Sequence, residues 1–171
     1  MEVNFRTLKA NEIDCRVNQI NEKGLTLLLY KDARCDMNIL DETVGATNWK
    51  RQHTRDNANC IVSIYDEDKK EWVSKEDTGT ESYTEKEKGL ASDSFKRACV
   101  NWGIGRELYT APFIYIPAEK VNIFQGGKGN WTTKDKFYVE AIKYNDEKEI
   151  IALSIKNTKG ERVYLKNENN K

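Results

Sequence analysis

Two adjacent cations, Lys96 and Arg97, are the residues in this chain best suited by type and spacing to bind a ligand. A phosphodiester backbone is held by cations placed along a track, with the bases left reachable. Arg34, Lys50, Arg51, Arg55, Lys88 and Arg106 are the other candidates for such a track. The total charge of the 171-residue chain is zero, but an electrostatic footprint needs local positive charge, not a basic total. From Trp49 to Arg55 there are three cations and no acid, and from Lys88 to Tyr109 four cations oppose two acids. From Asp66 to Glu87 nine acids oppose four lysines. Such opposite-sign segments suit a charged cleft or head-to-tail self-association, and an acidic solvated loop is the simpler account of the second kind.

Catalysis finds no comparable constellation. The single histidine, His53, has no Ser or Cys partner in a triad signature. The glycine-rich run Gln125–Asn130 lacks the spacing of a phosphate-cradling loop and reads as a flexible loop. Acidic pairs such as Glu76-Asp77 sit in a solvated acidic stretch. Cys15, Cys35, Cys60 and Cys99 are widely spaced and read as small buried hydrophobes, neither zinc ligands nor a disulfide framework. The expectation is therefore a non-enzyme with no cofactor and no metal.

The elements that must position the cations follow from periodicity. Ala91, Phe95, Ala98 and Trp102 recur at helical spacing, Thr84 and Glu87 form a capping box before them, and Gly103 is placed to end the helix. Lys96 and Arg97 lie off that stripe, beside Asp93. An ordinary amphipathic helix with a solvated basic pair is the simpler reading of this pattern taken alone. A first, shorter helix starts at Asp32 as N-cap, carries a stripe of Ala33, Met37, Leu40 and Val44, and stops at Gly45. Arg34 near its start is unfavourable for the helix dipole, which marks an anion site unless Asp32 or Asp36 compensates.

Between the helices the pattern predicts a meander. Trp49 to Arg55 alternates, with Arg51, His53 and Arg55 on one face. Asn59–Tyr65 and Glu71–Lys75 follow as the next strands, the whole packing an apolar face on the long helix and leaving the other face to carry charge. Upstream, a short helical turn is expected around Phe5 and Leu8, then a hairpin through Asn21–Gly24. Downstream, Phe113–Ile116 is extended and Lys136–Tyr144, Glu149–Lys156 and Glu161–Leu165 form a second small meander. The fold class is α+β, in one domain: an antiparallel meander on a long central helix, a shorter helix, and a C-terminal meander. With 33% charged and 38% hydrophobic residues the chain is a folded, soluble protein. No apolar run approaches a membrane span and the N-terminus lacks a signal peptide's apolar stretch, so the expected compartment is the cytoplasm, without membrane contact.

Three ordered blocks carry a resemblance. Ala91–Ala98 (ASDSFKRA), with Trp102–Arg106 and Leu108-Tyr109, is one. Tyr30–Arg34, Leu40–Glu42, Val44-Gly45 and Asn48-Trp49 make the second, and Trp72-Val73, Lys75, Asp77 and Gly79-Thr80 the third. Together they resemble the signature of the Rad fifty-two superfamily of single-strand annealing proteins, on its phage-encoded, Sak-like branch. The resemblance covers residues 25–110, the annealing core, and leaves 111–171 as a β-rich extension. It implies ATP-independent binding of single-stranded DNA and annealing of complementary strands in homologous recombination and repair, inside a bacterial host. Lys96-Arg97 and Arg34 would lie in a groove between a β-sheet stem and a helical region; Lys50, Arg51 and Arg55, read from charge and alternation, line that groove or belong to an outer surface. It also implies a homo-oligomeric ring in which neighbouring protomers extend one sheet, with a host or phage single-strand binding protein or a recombinase as further partners. No long C-terminal recombinase-recruiting region follows, so annealing is the core activity expected. A non-annealing adaptor or DNA-end protector with the same fold is the alternative.

Overall fold

The computed structural model describes residues 2–81, 86–127 and 129–168. In chain order the elements are β1 (Asp14–Asn21), β2 (Gly24–Tyr30), α1 (Ala33–Val44), β3 (Trp49–Thr54), β4 (Asn59–Asp66), β5 (Glu71–Thr78) and α2 (Lys86–Trp102). Then come β6 (Ile114–Pro117), β7 (Ile123–Gln125), β8 (Trp131–Thr133), β9 (Phe137–Tyr144), β10 (Ile150–Asn157) and β11 (Arg162–Lys166). The architecture is α+β, with an antiparallel meander packed on a long helix. The chain forms two compact units: Met1–Thr7 with Asp32–Arg106, and Leu8–Lys31 with Glu107–Lys171. The sequence reads as one domain, with a core over 25–110 and an extension over 111–171; nothing local announces that the first hairpin pairs with the C-terminal strands.

In the first unit β3-β4-β5 is a three-stranded sheet in strict register, His53 opposite Cys60 and Cys60 opposite Asp77. Directly opposed residues share a face. The face toward α2 thus carries Trp49, Arg51 and His53, then Ile64, Val62 and Cys60, then Val73, Lys75 and Asp77. The three central residues are fully buried, as are Phe95, Ala98 and Cys99 of α2. Burial of this apolar face holds the helix on the sheet, at about 25 cal/mol per Å² removed from water. The helix's buried face runs through Ser94, Phe95, Ala98 and Cys99, whereas Ala91 and Trp102 of the expected stripe are half-buried. Likewise α1 buries Cys35, Asp36, Ile39 and Leu40, and of its expected stripe only Leu40 is fully covered. The N-cap is as expected: the Asp32 carboxylate accepts from the Arg34 and Cys35 N–H groups at 2.8 and 3.1 Å. At the other end of α2, Gly103 has φ 102°. Its N–H donates to Val100 and that of buried Ile104 to Cys99, the paired bonds that close a helix C-terminus. The expected cap at Thr84 lies outside the described residues.

In the second unit six antiparallel strands run in the order β11-β10-β9-β1-β2-β6. The expected C-terminal meander is β9-β10-β11, and it continues through β9 onto the β1-β2 hairpin. The outermost strands, β11 and β6, approach each other, so the sheet curls back on itself. Leu25, Leu27, Ile114, Ile116, Val139, Leu153 and Ile155 fill its inner face. The expected turn around Phe5 and Leu8 sits instead at Ala10–Glu12, and both apolar residues are buried. The glycine-rich run expected to be a loose loop closes the β7-β8 hairpin: the Gly126 N–H donates to Asn130 O at 2.9 Å. Among the cysteines Cys35, Cys60 and Cys99 are buried, while Cys15 is half-buried. Burial, with the charge of Asp14 beside it, pushes the Cys15 thiol up to about 12. Among the described residues, no helix is long and apolar enough to cross a membrane.

Candidate nucleic-acid interface

All eight candidate cations fall in the first unit. The helix α2 and the sheet position them differently. Phe95 is the anchor: it is fully buried, Trp49 stacks on it at 6.1 Å between centroids, and the Arg51 guanidinium covers its ring at 4.7 Å. Arg51 is nonetheless solvent-exposed, so its charge stays available. Such a contact contributes about 0.5–1 kcal/mol and uses no carboxylate. The sheet cation therefore meets the helix at the residue immediately before Lys96-Arg97. The sequence left open whether Arg51 lines an inner groove or an outer surface; with His53 it lies on the side of β3 toward the helix. Alternation gives the pairing of side chains but not which set faces the core, and Trp49 in the same set was the available signal.

Arg97 is oriented by Asp93 one turn earlier, Nε to Oδ2 at 2.9 Å. The same carboxylate oxygen accepts the Thr80 N–H at 2.8 Å and the Thr80 hydroxyl at 3.3 Å. Burial works to raise the pKa of Asp93, but the Arg97 guanidinium and the Thr80 N–H outweigh it and hold the carboxyl below its ordinary value. Thr80 reaches Asp93 because Gly79 lies directly on α2. A Cβ there would stand 2.5 Å from the Ser94 nitrogen and 2.9 Å from the Leu90 carbonyl oxygen, so only glycine fits. Gly79-Thr80 and Asp93-Ser94 are thus one latch between the end of β5 and the helix. Sequence reasoning noted Asp93 beside the basic pair but assigned the latch no role. A glycine followed by a small hydroxyl residue just past a strand was its only mark.

The flanking cations are arranged as follows. Lys75, not among the candidates, lies over the Trp102 ring at 4.9 Å and donates to the Asn101 carbonyl at 2.8 Å. Arg106 donates to the Val100 and Asn101 carbonyls at 2.9 and 3.2 Å. Both close the negative end of the α2 dipole while remaining exposed. Lys50 lies on the opposite face of the sheet, over exposed Trp72 at 4.1 Å. Arg55 is not on the strand: with Asp56 and Asn57 it forms a turn of three consecutive left-handed residues, φ 52°, 51° and 69°, so it leaves the face it was expected to share. Arg34 is exposed and its guanidinium returns to Asp32 at 3.0 Å, the compensation the helix start called for. Lys88 is exposed in the first turns of α2. His53, on the helix side of β3, lies 3.4 Å from the Ser94 hydroxyl. Burial and the charge of Arg51 pull its imidazole below its ordinary pKa, against a raising contribution from the Asn59 backbone hydrogen bond.

The chain matches no family model, no curated protein and no solved structure. The chemistry of the site therefore carries the functional argument. The Arg51 guanidinium, exposed and held over a ring, is suited to phosphate oxygens, because its geometry is preset without an internal carboxylate, whereas Arg97 is oriented by Asp93.

Proposed function

We propose that this protein binds single-stranded DNA along the first unit and anneals complementary strands without ATP, acting as a homo-oligomer in the cytoplasm. The observation that carries this reading is Arg51 of the sheet, exposed and held over the ring of Phe95 on the same helix that carries Lys96-Arg97. The ordered blocks shared in resemblance with annealing proteins support it, since the Lys-Arg pair, Trp49 and Gly79-Thr80 all belong to this one assembly of residues. Phosphates bind the cations, the strand is held extended, and a complementary strand pairs with the exposed bases. Duplex formation drives the reaction. Self-association has support in the edges of the three-stranded sheet: β3 carries Lys50 and Arg51 with no acid, whereas β5 carries Glu71, Glu76 and Asp77 against Lys75. Addition of the basic edge of one copy to the acidic edge of the next is a head-to-tail contact, which closes into a ring when the rotation permits.

The test is pairing of two labelled complementary oligonucleotides, without ATP or metal, by wild type and by Lys96→Ala/Arg97→Ala. Acceleration by wild type and its loss in the variant support annealing at this site. Binding by wild type without acceleration replaces the annealing reading with that of an adaptor or end protector.

A further inference from the structure

A second surface of different character lies on the outer face of the curled sheet in the second unit. Register places five residues in one line across five strands: Tyr30 opposite Asp14, Asp14 opposite Tyr138, Tyr138 opposite Lys156, and Lys156 opposite Arg162. Opposed residues share a face, and this is the face away from the buried leucines and isoleucines. Tyr30 is 39% and Tyr138 43% exposed, near the ends of β2 and β9. Arg16, also exposed, places its guanidinium 6.0 Å from the Tyr30 ring centroid. At the other end Lys156 and Arg162 both pair with Glu140, at 2.6 and 2.9 Å. Three cations against Asp14 and Glu140 leave the row with one net positive charge, and cations stand at both of its ends.

With strands about 4.8 Å apart, the two rings are about 10 Å from each other and the row spans about 19 Å. Exposed rings at intervals across a sheet, with cations at the margins, are what stacked bases and their phosphates require. Leu28 and Tyr115, 40% and 41% exposed, share this face, and a carboxylate, Asp14, separates the two rings of the row. That carboxylate can accept from exocyclic amino groups of bases.

We propose that this row, Tyr30, Asp14 and Tyr138 with Arg16, Lys156 and Arg162, binds single-stranded nucleic acid by base stacking, separately from the basic track of the first unit. The site extends the proposed function but does not depend on it, since it uses none of the same residues. Because most of its charge is matched internally, its affinity falls only shallowly with salt.

The experiment uses the full chain and a single-stranded oligonucleotide containing bromodeoxyuridine, crosslinked by ultraviolet light and mapped by mass spectrometry. It is run on wild type, on Lys96→Ala/Arg97→Ala and on Tyr30→Leu/Tyr138→Leu, with affinities from fluorescence anisotropy. Adducts on the peptides holding Tyr30 and Tyr138, kept in the Lys96/Arg97 variant, and an affinity at least fivefold weaker in the tyrosine variant support the proposal. Persistence of those adducts in the Lys96/Arg97 variant with unchanged affinity would sink the basic track and leave the tyrosine row standing. Adducts confined to residues 49–106 overturn the proposal. So does a tyrosine variant that binds like wild type but sediments as a smaller species, which assigns the face to a second copy of this chain. Tyr30→Phe/Tyr138→Phe, which keeps the rings, binds like wild type if stacking is the interaction, and guards against a folding defect as the cause.

Discussion

The sheets of the two units hold their cations differently. In the first, Lys50, Arg51 and Lys75 lie over the rings of Trp72, Phe95 and Trp102. In the second, Lys156 and Arg162 share the Glu140 carboxylate, and Lys143 pairs with Glu168. A ring quadrupole orients a cation without cancelling its charge, whereas a carboxylate orients and cancels. The sheet cations of the first unit thus keep their charge, while Arg34 and Arg97 of its helices are matched by Asp32 and Asp93; in the second unit Lys156 and Arg162 are matched, and Arg16 and Lys134 lie by rings. On the proposed function, that difference sets a salt-sensitive surface apart from a salt-tolerant one.

The largest effect expected is structural and tests whether the first unit depends on its anchor. Phe95→Ala removes a fully buried ring that Trp49 and Arg51 both pack against, and costs about 3–5 kcal/mol. Denaturation followed by tryptophan emission reads it, and a loss under about 1 kcal/mol would mean that the cations are held by something other than Phe95. Next comes the charge itself. Lys96→Ala/Arg97→Ala lowers the slope of log affinity against log salt by about 1.4, at about 0.7 per phosphate contact on a single strand. An unchanged slope breaks the contrast between the units. Tyr30→Leu/Tyr138→Leu, by the same measure, weakens binding with little change in slope.

Smaller effects sharpen the picture. Asp93→Asn breaks a part-exposed ion pair and lowers stability by up to about 1 kcal/mol. Affinity at low salt rises, because a negative charge leaves the track. A fall in affinity instead would show that orientation of Arg97 outweighs its partial neutralisation. In the second unit the Arg162, Lys156 and Ser154 hydrogen bonds push Glu140 down from 4.5 to about 2. A depressed carboxylate stabilises the fold above its ordinary pKa and loses that contribution as pH falls through the folded value. The stability difference between wild type and Glu140→Gln is therefore full above pH 4.5 and vanishes toward pH 2. Melting temperatures across that range check it, and a constant difference would mean that the network does not titrate as a unit.

Local signals were legible in the sequence and long-range ones were not. Asp32 and Gly103 act at the positions their types announce, because caps depend on two or three neighbouring residues. The strands of both meanders were readable for the same reason. Which side of β3 meets the helix was not, because alternation is symmetric between Arg51 and Lys50 until something covers one set. The loss of Arg55 from that strand turns on three left-handed residues in a row, and only the Asp56-Asn57 pair hinted at it. The candidate site was half visible: the basic pair stood out by composition, but the latch through Gly79, Thr80 and Asp93 depends on a close approach that no periodicity encodes. The row of Tyr30, Asp14 and Tyr138 was hidden entirely, since it exists only through the pairing of β1 with β9.

That same pairing has a consequence for how the protein is made. The residues of the first unit end at Arg106, so all of them have been synthesised before the strands from β6 onward. The hairpin from Asp14 to Tyr30 leaves the ribosome earlier yet must wait, one edge open, until Tyr138 and the strands after it have emerged. The earliest hairpin is thus among the last pieces to find its place, and a nascent chain stalled short of β9 holds an unfinished sheet.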